Sequence, residues 1–308
     1  MRFDVIANIT ARLYRRRPSL LDEVRRVSAG VAEVHPTSRV DELDAVCARI
    51  AARGTDLVIL SGGDGSFMAG VTALARAFGE ASLPRLALLP GGTVATVARN
   101  FGMQGDPTRL LARIFAARTL ASRRRATLRV REGAANERIG FIFGTGLVAR
   151  FFDLYYADGA RGYGGAARIA GRIFVESFVD GPYAQQVLTP MPCTIEVDGR
   201  RLASDRWSLV CASVVRDLGI GMRVNYRAGE DLHRPHLVAS PLPPRSLGPR
   251  APLVLLGKSI GGAGSFDDLA RSFVVRFSPE GPYVLDGDVL RASEVTVSAG
   301  PPIDVVTL

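Results

Sequence analysis

The 308-residue chain has little lysine, cysteine and tryptophan, and it has no long apolar run. Its cysteines, Cys47, Cys193 and Cys211, are odd in number and widely spaced, which excludes a disulfide framework and a zinc-finger pattern. We therefore expect a reducing compartment, the cytoplasm. The most apolar stretch, residues 139–152, contains three glycines and Arg150, and it is too short and too interrupted to cross a bilayer.

What the chain does have is an ordinary apolar content and a strong positive charge. Hydrophobic residues make up 47% and charged residues 22%, which excludes a disordered protein and allows a real core. Because the only lysine is Lys258, the net charge of +9 comes from arginine. Such a surface attracts nucleotides, anionic membranes and nucleic acid alike. The clusters Arg15–Arg17 and Arg123–Arg125 are either solvated faces or sites of attraction to a bilayer. No nucleic-acid-binding motif accompanies them, so nucleic acid is not an expected partner.

The first part of the chain alternates between predicted strands and helices up to about residue 120. The apolar runs Leu57–Leu60 and Leu86–Leu89 both end near glycines, and a helical pattern follows each of them. This order is typical of a doubly wound parallel sheet, in which ligands bind at the carboxyl ends of the strands. The sequence therefore predicts an α/β domain over residues 1–122.

The remainder, residues 123–308, is predicted to be β-rich and sandwich-like. Its helices are expected only at about 165–178 and 252–259, with a strand at Gln185–Leu188 and an irregular loop over Ser240–Pro252. Turn signals separate the strands. Whether the last strands return to the first domain is left open.

The first glycine-rich turn, Ser61-Gly62-Gly63-Asp64-Gly65-Ser66, lies between a predicted strand and a helix. Glycines allow close approach of the backbone to a ligand, and amides at a helix start can bind phosphate oxygens. Asp64 would repel a bare phosphate but suits Mg²⁺ bound to one. The alternative is a tight connection in which Asp64 is only a helix N-cap. The spacing matches neither a P-loop nor a dinucleotide fingerprint.

A second turn, Pro90-Gly91-Gly92-Thr93, also joins a strand to a helix. The Thr93 hydroxyl either caps that helix or binds a phosphate. Because the carboxyl ends of neighbouring parallel strands meet at one edge of a sheet, the two turns are expected to converge on one crevice.

These segments resemble the diacylglycerol kinase catalytic-domain family, which includes diacylglycerol, sphingosine and ceramide kinases and related bacterial lipid kinases. Residues 58–74 resemble its Gly-Gly-Asp-Gly-Thr signature, and residues 87–102 its Pro-x-Gly-Thr signature. Asn8 and Thr37 match positions at the ends of the first two strands. Asp286-Gly287-Asp288 resembles the Asp-Gly-Glu near the end of the family sequences.

The resemblance implies an ATP-dependent lipid kinase acting on a diacylglycerol- or ceramide/sphingoid-type lipid at a membrane surface, with ATP as substrate and Mg²⁺ as cofactor. It implies peripheral membrane association. Asp64 would be catalytic and the metal ligand, and Asp288 would accept the proton of the lipid hydroxyl. The implied nucleotide-binding residues are Asn8, Thr37, Ser61, Gly62, Gly63, Asp64, Gly65, Ser66, Gly91, Gly92 and Thr93.

The chain departs from the family pattern at several positions. Ser66 replaces threonine, Ile9 follows Asn8 in place of proline, and Val94-Ala95 replaces the usual Gly-Asn. Gly219-Ile220-Gly221 partly matches a glycine run of the family, but residues 230–236 after it lack the Asp-Gly pair that is linked to a second, structural Mg²⁺. Asp288 is one methylene shorter than glutamate, and the alternative is that Asp286-Gly287 is a hairpin turn followed by an exposed aspartate.

Two other functions share part of the pattern. NAD kinases carry the first signature, so NAD kinase is an alternative function. A non-catalytic relative that binds nucleotide or lipid would tolerate the substitutions at Val94, Ala95 and Asp288.

Aromatic and basic residues mark two places for membrane contact. One is Phe151, Phe152, Tyr155 and Tyr156 with Arg150, and the other is Phe174 and Phe178 with Arg172. The alternative is that these rings fill the core of the second domain. The acceptor lipid and the oligomeric state, a homodimer included, are left open.

Overall fold

The computed structural model describes residues 1–79, 81–92, 94–133, 136–157 and 162–308, with only the backbone of residues 162 and 163. The chain divides into two compact units. Unit 1 comprises Met1–Arg125, Arg138–Gly140 and Pro301–Leu308, and unit 2 comprises Ala126–Glu137 and Phe141–Gly300.

Unit 1 alternates strands with helices. Its elements are β1 (Phe3–Asn8), α1 (Arg12–Arg16), α2 (Leu20–Ser28), β2 (Ala32–Thr37), α3 (Val40–Arg53), β3 (Leu57–Gly62), α4 (Asp64–Phe78), β4 (Arg85–Pro90), α5 (Thr96–Asn100), α6 (Pro107–Ala116) and β5 (Ala121–Arg125).

The sheet of unit 1 has six strands and includes the last strand of the chain, β18 (Ile303–Thr307). The strands lie side by side in the order β2-β1-β3-β4-β18-β5. The first five strands of this order are parallel, and β5 runs antiparallel to β18. Every residue of β3 is buried, as expected for a central strand covered on both faces. Because β3 and β4 are neighbours, with Gly62 opposite Pro90, their glycine turns follow at the same edge of the sheet.

Local signals determine where several helices of unit 1 begin and end. Glu42 in the first turn of α3 accepts hydrogen bonds from the amides of Ser38 (2.7 Å) and Arg39 (3.3 Å). The same helix ends at Gly54, which has a φ of 63°, a conformation that glycine adopts without steric cost. These side-chain and glycine caps satisfy polar groups that a helix end leaves without an intrahelical partner.

Unit 2 combines strands with a group of helices. Its elements are β6 (Leu128–Glu132), β7 (Asn136–Gly140, whose last three residues belong to unit 1), β8 (Ile142–Gly146), α7 (Leu147–Ala157), α8 (Gly162–Ser177), α9 (Pro182–Leu188), β9 (Met191–Pro192), β10 (Thr194–Val197), β11 (Arg200–Arg201), β12 (Arg206–Trp207), β13 (Leu209–Ser213), β14 (His236–Ser240), α10 (Pro244–Leu247), a 3-10 helix (Gly248–Arg250), α11 (Ala251–Leu255), β15 (Phe266–Leu269), β16 (Ser272–Leu285) and β17 (Asp288–Ala299).

The large sheet of unit 2 is antiparallel and follows the order β15-β14-β13-β8-β16-β17-β6-β7, with β10 and β11 attached through β16. Helices pack over part of it. An apolar cluster joins Ile169 and Ile173 of α8 to Cys211 and Val238 of the sheet. Burial of this cluster removes apolar side chains from water, which is the dominant favourable term in folding.

The predicted fold class is confirmed: the molecule combines a parallel α/β sheet with a separate antiparallel, β-rich sheet. Three local predictions are wrong. Leu147–Ala157 forms α7 in a part of the chain where no helix was expected. Gln185–Leu188 lies in helix α9 rather than in a strand, and the proline-rich segment after Ser240 contains α10 and α11. Both α9 and α10 start with a proline, Pro182 and Pro244, in the first turn, where the missing amide hydrogen costs nothing.

Among the described residues, no helix is both long enough and apolar enough to span a lipid bilayer.

Candidate functional site

The two glycine turns of unit 1 touch each other through their backbones. The Gly91 amide donates to the Gly62 carbonyl over 2.7 Å. A Cβ added to Gly92 would lie 2.6 Å from the Gly63 Cα, and one added to Gly63 would lie 3.2 Å from the Gly92 Cα. Only residues without a side chain allow this approach, so the predicted convergence of the two turns is present.

The first strand adds a side-chain link to this pair of turns. Asn8, at the end of β1, donates from Nδ2 to the Ser66 hydroxyl over 2.8 Å. The Ser66 hydroxyl in turn accepts from the Gly63 amide over 3.2 Å. The Ser66 hydroxyl therefore links Asn8 to the Gly63 amide. The threonine of the family signature also carries a hydroxyl. Thr37, predicted to bind nucleotide, is buried at the end of β2, and its carbonyl accepts from the Ile9 amide over 3.0 Å.

Asp64 connects the two turns through its carboxylate. Its two oxygens accept from the amides of Thr96 and Val97, each over 2.9 Å, at the start of α5. Burial raises the pKa of the Asp64 carboxyl, while the hydrogen bonds from Val97 and Thr96 act in the opposite direction. Asp64 therefore does cap a helix, but the helix whose amides it binds is α5 and not its own helix, α4. The Thr96 side chain also hydrogen-bonds this carboxylate, which can accept about four hydrogen bonds in all.

The polypeptide between the second turn and α5 has a strained conformation. Ala95 has a φ of 51° and a ψ of 50°, the left-handed region that alanine adopts only at a cost of roughly 1–2 kcal/mol. It therefore prevents α5 from starting before Thr96. The family pattern places asparagine here, a residue that tolerates this region well. Thr93, predicted to bind phosphate, lies outside the described residues.

Sequence reasoning missed the short helix α1, which is tied to both turns. The Leu13 amide donates to the Gly91 carbonyl over 3.0 Å, and the Tyr14 hydroxyl lies 2.8 Å from the Ser61 hydroxyl. Tyr14 is buried, and this burial raises the pKa of its phenol. A signal was available, since a tyrosine among the arginines of Arg12–Arg17 is out of place on a solvated face.

The arginine clusters of the sequence are partly structural. Arg17 pairs with Glu23 and with Asp106, the latter over 2.6 Å. Arg125 stacks over the Phe101 ring at 5.1 Å. These two arginines therefore hold unit 1 together and do not belong to a purely solvated face.

In unit 2, Asp286-Gly287 forms the two-residue turn between β16 and β17. Both residues have positive φ, 50° and 94°, which matches the twist of the flanking strands in a tight hairpin. The Asp286 carboxylate is buried and accepts from the amides of Phe141 (3.0 Å) and Ile142 (2.9 Å). The turn is therefore anchored to the next strand of the sheet, β8.

Asp288, predicted to be the proton acceptor, is the first residue of β17 and is exposed. Next to it the Tyr156 hydroxyl of α7 donates to the Gly287 carbonyl over 2.8 Å. Burial, and then the negative charge of Asp288, raise the pKa of the Tyr156 phenol. The structure thus places Asp288 on an anchored hairpin with a protonated tyrosine beside it, and Tyr156 is a second residue that sequence reasoning missed in this place.

Comparison with known proteins identifies the unit-1 region. Residues 5–124, which contain both glycine turns, match the family model of the diacylglycerol kinase catalytic domain. Among curated proteins, none matches the chain significantly.

Solved structures extend the likeness in fold to the whole chain. A diacylglycerol kinase from Bacillus anthracis str. Sterne is 16% identical with a TM-score of 0.64, and the alignment covers 100% of this chain and 97% of that one. Two further structures from the same organism, provisionally named as diacylglycerol kinases, are each 15% identical, with TM-scores of 0.67 and 0.68; each alignment covers 100% of this chain and 96% or 97% of theirs. At identities this low, the structural likeness shows a shared fold alone.

The contact between Tyr14 and Ser61 predicts a measurable role for α1 in the catalytic-domain region. We expect Tyr14→Phe to lower the free energy of unfolding by about 1 kcal/mol, because a buried hydrogen bond is lost. Urea unfolding of Tyr14→Phe, Ser61→Ala and the double variant at pH 7 forms a double-mutant cycle. Strictly additive losses in that cycle would show that the two hydroxyls do not interact.

Proposed function

We propose that the chain is an ATP-dependent lipid kinase that phosphorylates a hydroxyl of a diacylglycerol- or ceramide/sphingoid-type lipid. The observation that carries the proposal is the backbone contact between the two glycine turns within a diacylglycerol kinase catalytic-domain match. A lipid kinase needs a place where backbone amides can approach a triphosphate closely, and side chains at these positions would block it.

The triphosphate is proposed to bind at the start of α4 and along both turns. Helix α4 has 15 residues, and its first amides have no partner within the helix. The partial positive charge at the start of a helix favours phosphate oxygens. Asn8, Ser66 and Tyr14 hold the turns in place, so that little reorganisation is needed when nucleotide binds.

The donor set around Asp64 fits a magnesium ion. Magnesium prefers oxygen ligands, often one carboxylate with waters and substrate phosphates. Asp64 offers a carboxylate that two amides hold in a fixed orientation and whose remaining acceptor capacity is available for a metal or its waters. Bound Mg²⁺ would neutralise charge on the transferring phosphoryl group. The positive charge would also offset the cost of keeping a half-buried carboxylate ionised.

Asp288 is proposed to accept the proton of the lipid hydroxyl. An exposed carboxylate is ionised at neutral pH and can act as a general base. The Gly287 carbonyl and the Tyr156 hydroxyl hold the hairpin at this point. Asp286 anchors the same turn by accepting from the amides of Phe141 and Ile142, and its proposed role is therefore to position the hairpin.

The decisive experiment uses labelled ATP with Mg²⁺ and a panel of lipids that contains diacylglycerol, ceramide and sphingosine. We expect one lipid class to be phosphorylated. ATP binding without transfer to any lipid would support a non-catalytic relative, and transfer to NAD would support a NAD kinase.

Paired variants of the hairpin separate its chemical role from its structural one. We expect Asp288→Asn to lower kcat about a hundredfold or more, because a general base contributes on this order, while the free energy of unfolding stays unchanged. Asp286→Asn should lower the free energy of unfolding by about 1–3 kcal/mol, since buried amides lose an acceptor. Asp288→Asn with full activity would refute the role of Asp288.

A further inference from the structure

Unit 2 exposes a compact apolar surface at the end of α8. Val175, Phe178 and Val179 are 65%, 57% and 72% exposed, and they follow each other within one helical turn and the loop after it. We call these three residues the α8 tip. The Phe174 and Phe178 rings contact edge to face with centroids 5.1 Å apart, which gives the tip a fixed aromatic base.

The remainder of α8 explains why the tip is not part of the core. Ile169 and Ile173 point into the apolar cluster of unit 2 and are buried. Residues 175, 178 and 179 lie on the other side of the helix and in the following loop. Exposed apolar groups that lie together, instead of scattered singly, usually mark an interaction surface.

The aromatic residues of α7 differ from those of the tip. Phe151 and Tyr155 are half-buried and pack against the apolar cluster of unit 2. The two places for membrane contact that the sequence indicates are therefore not equivalent. The exposed aromatic of α7, Tyr156 at 56%, is held by its hydrogen bond to the Gly287 carbonyl, whereas the exposed side chains at the end of α8 are purely apolar.

The charges around the tip favour an anionic partner. Its two acidic neighbours are already paired, Glu176 with Arg172 over 2.8 Å and Asp180 with Arg245 over 3.4 Å. The segment 241–260 contains two arginines and the only lysine but no acidic residue. Part of this segment packs against the end of α8, where the Ser177 side chain leaves no room for a Cβ at Gly248.

We propose that the α8 tip inserts into the surface of an anionic lipid bilayer and thereby holds the protein where its lipid substrate resides. This inference rests on the proposed lipid kinase function. Shallow insertion of a few apolar side chains beside basic ones is sufficient for reversible membrane binding. The tip is too small for a second protein molecule, because three such side chains present on the order of 300 Å², whereas a stable protein interface buries about 800 Å² per partner.

The test measures cosedimentation of the full chain with vesicles of phosphatidylcholine, with and without one quarter phosphatidylglycerol. We expect Phe178→Ser/Val179→Ser to lower binding to the anionic vesicles about tenfold or more, because the inserted apolar surface is lost. The matched control is Val31→Ser/Val40→Ser in unit 1, which removes two valines that are 46% and 65% exposed and should leave binding unchanged.

A kinase assay on the same proteins separates this inference from the proposed function. Phe178→Ser/Val179→Ser should keep wild-type activity on a short-chain, water-soluble diacylglycerol and lose activity on the same lipid in vesicles. If the wild type phosphorylates lipid but the tip variant binds vesicles as well as the wild type does, the docking inference is wrong. If the wild type phosphorylates no lipid yet binds vesicles through the tip, the docking inference stands and the kinase proposal fails. A dimer in light scattering that this variant abolishes would assign the tip to a second copy and overturn the inference.

Discussion

Replacing Asp64 with asparagine should abolish lipid phosphorylation, with kcat reduced about a thousandfold or more, while the folded protein remains nearly as stable as the wild type. The loss of activity follows from the proposed magnesium site, since an amide does not replace a carboxylate beside a metal-bound triphosphate. Stability changes little because two effects oppose each other. One amide of α5 loses its acceptor, but burial raises the pKa of Asp64, so that removing the charge also relieves a cost.

Asp106 provides the control because its carboxylate also accepts from two amides at the start of a helix, here its own helix α6. Its carboxylate accepts from the amides of Thr108 (3.0 Å) and Arg109 (3.2 Å). Burial alone would raise the pKa of Asp106, but hydrogen bonds from Thr108 and Arg17 lower it, so here the charge is favoured in the folded state. Asp106→Asn should therefore lower the free energy of unfolding by about 1–2 kcal/mol and leave kcat unchanged.

The two aspartates thus predict opposite outcomes in two assays, urea unfolding and lipid phosphorylation. The loss of unfolding free energy caused by Asp106→Asn should shrink as the pH falls below 3.8, the ordinary pKa of aspartate. A carboxylate whose pKa is lowered in the folded state stops stabilising the protein once it is protonated. Asp64→Asn with normal kcat would show that Asp64 only caps α5. In that case the metal would have to be held by other residues.

Replacing Gly92 with alanine should weaken ATP binding at least about tenfold and lower the free energy of unfolding by about 1–3 kcal/mol. The new methyl group would lie 2.6 Å from the Gly63 Cα, and because that atom is backbone, the turns have to move apart. Gly63→Ala should have a smaller effect on both quantities, since its methyl group would lie 3.2 Å from the Gly92 Cα. Isothermal titration with ATP and urea unfolding measure the two effects.

Gly171 is the control for an added methyl group without a clash. It lies inside α8 with nothing within 4 Å of the position of a Cβ, so alanine should raise the free energy of unfolding by about 0.5–1 kcal/mol. Equal ATP affinities of the wild type and Gly92→Ala would show that the contact between the turns does not shape the nucleotide site.

Much of unit 1 could be predicted from its sequence because its signals are local. Apolar runs such as Leu57–Leu60 mark a strand buried on both faces, and this run forms most of β3. The shared edge of β3 and β4 followed from the rule for parallel sheets. Unit 2 was harder, because proline in the first turn of α9 and α10 has the same appearance in a sequence as proline in a loop.

Contacts between distant residues could not be predicted in this way. Asp64 bonds the amides of residues 96 and 97, Tyr14 bonds Ser61, and Asp286 bonds residues 141 and 142. Residue types and spacing do not specify which amide a carboxylate will meet once the chain has folded. Each of these contacts changes how the residue's role is interpreted.

By itself, the sequence determined the alternation of strands and helices in unit 1 apart from α1 and the returning strand β18, the position of both glycine turns and the family resemblance of residues 58–102, because these depend on residue type and short-range spacing. The tertiary structure alone decided that the turns share a backbone hydrogen bond, that Asp64 is oriented by α5, and that the end of α8 faces water while Phe151 and Tyr155 of α7 pack against the apolar cluster of unit 2. The physical reason is that burial and hydrogen-bond partners are properties of the packed chain and depend on residues far apart in sequence.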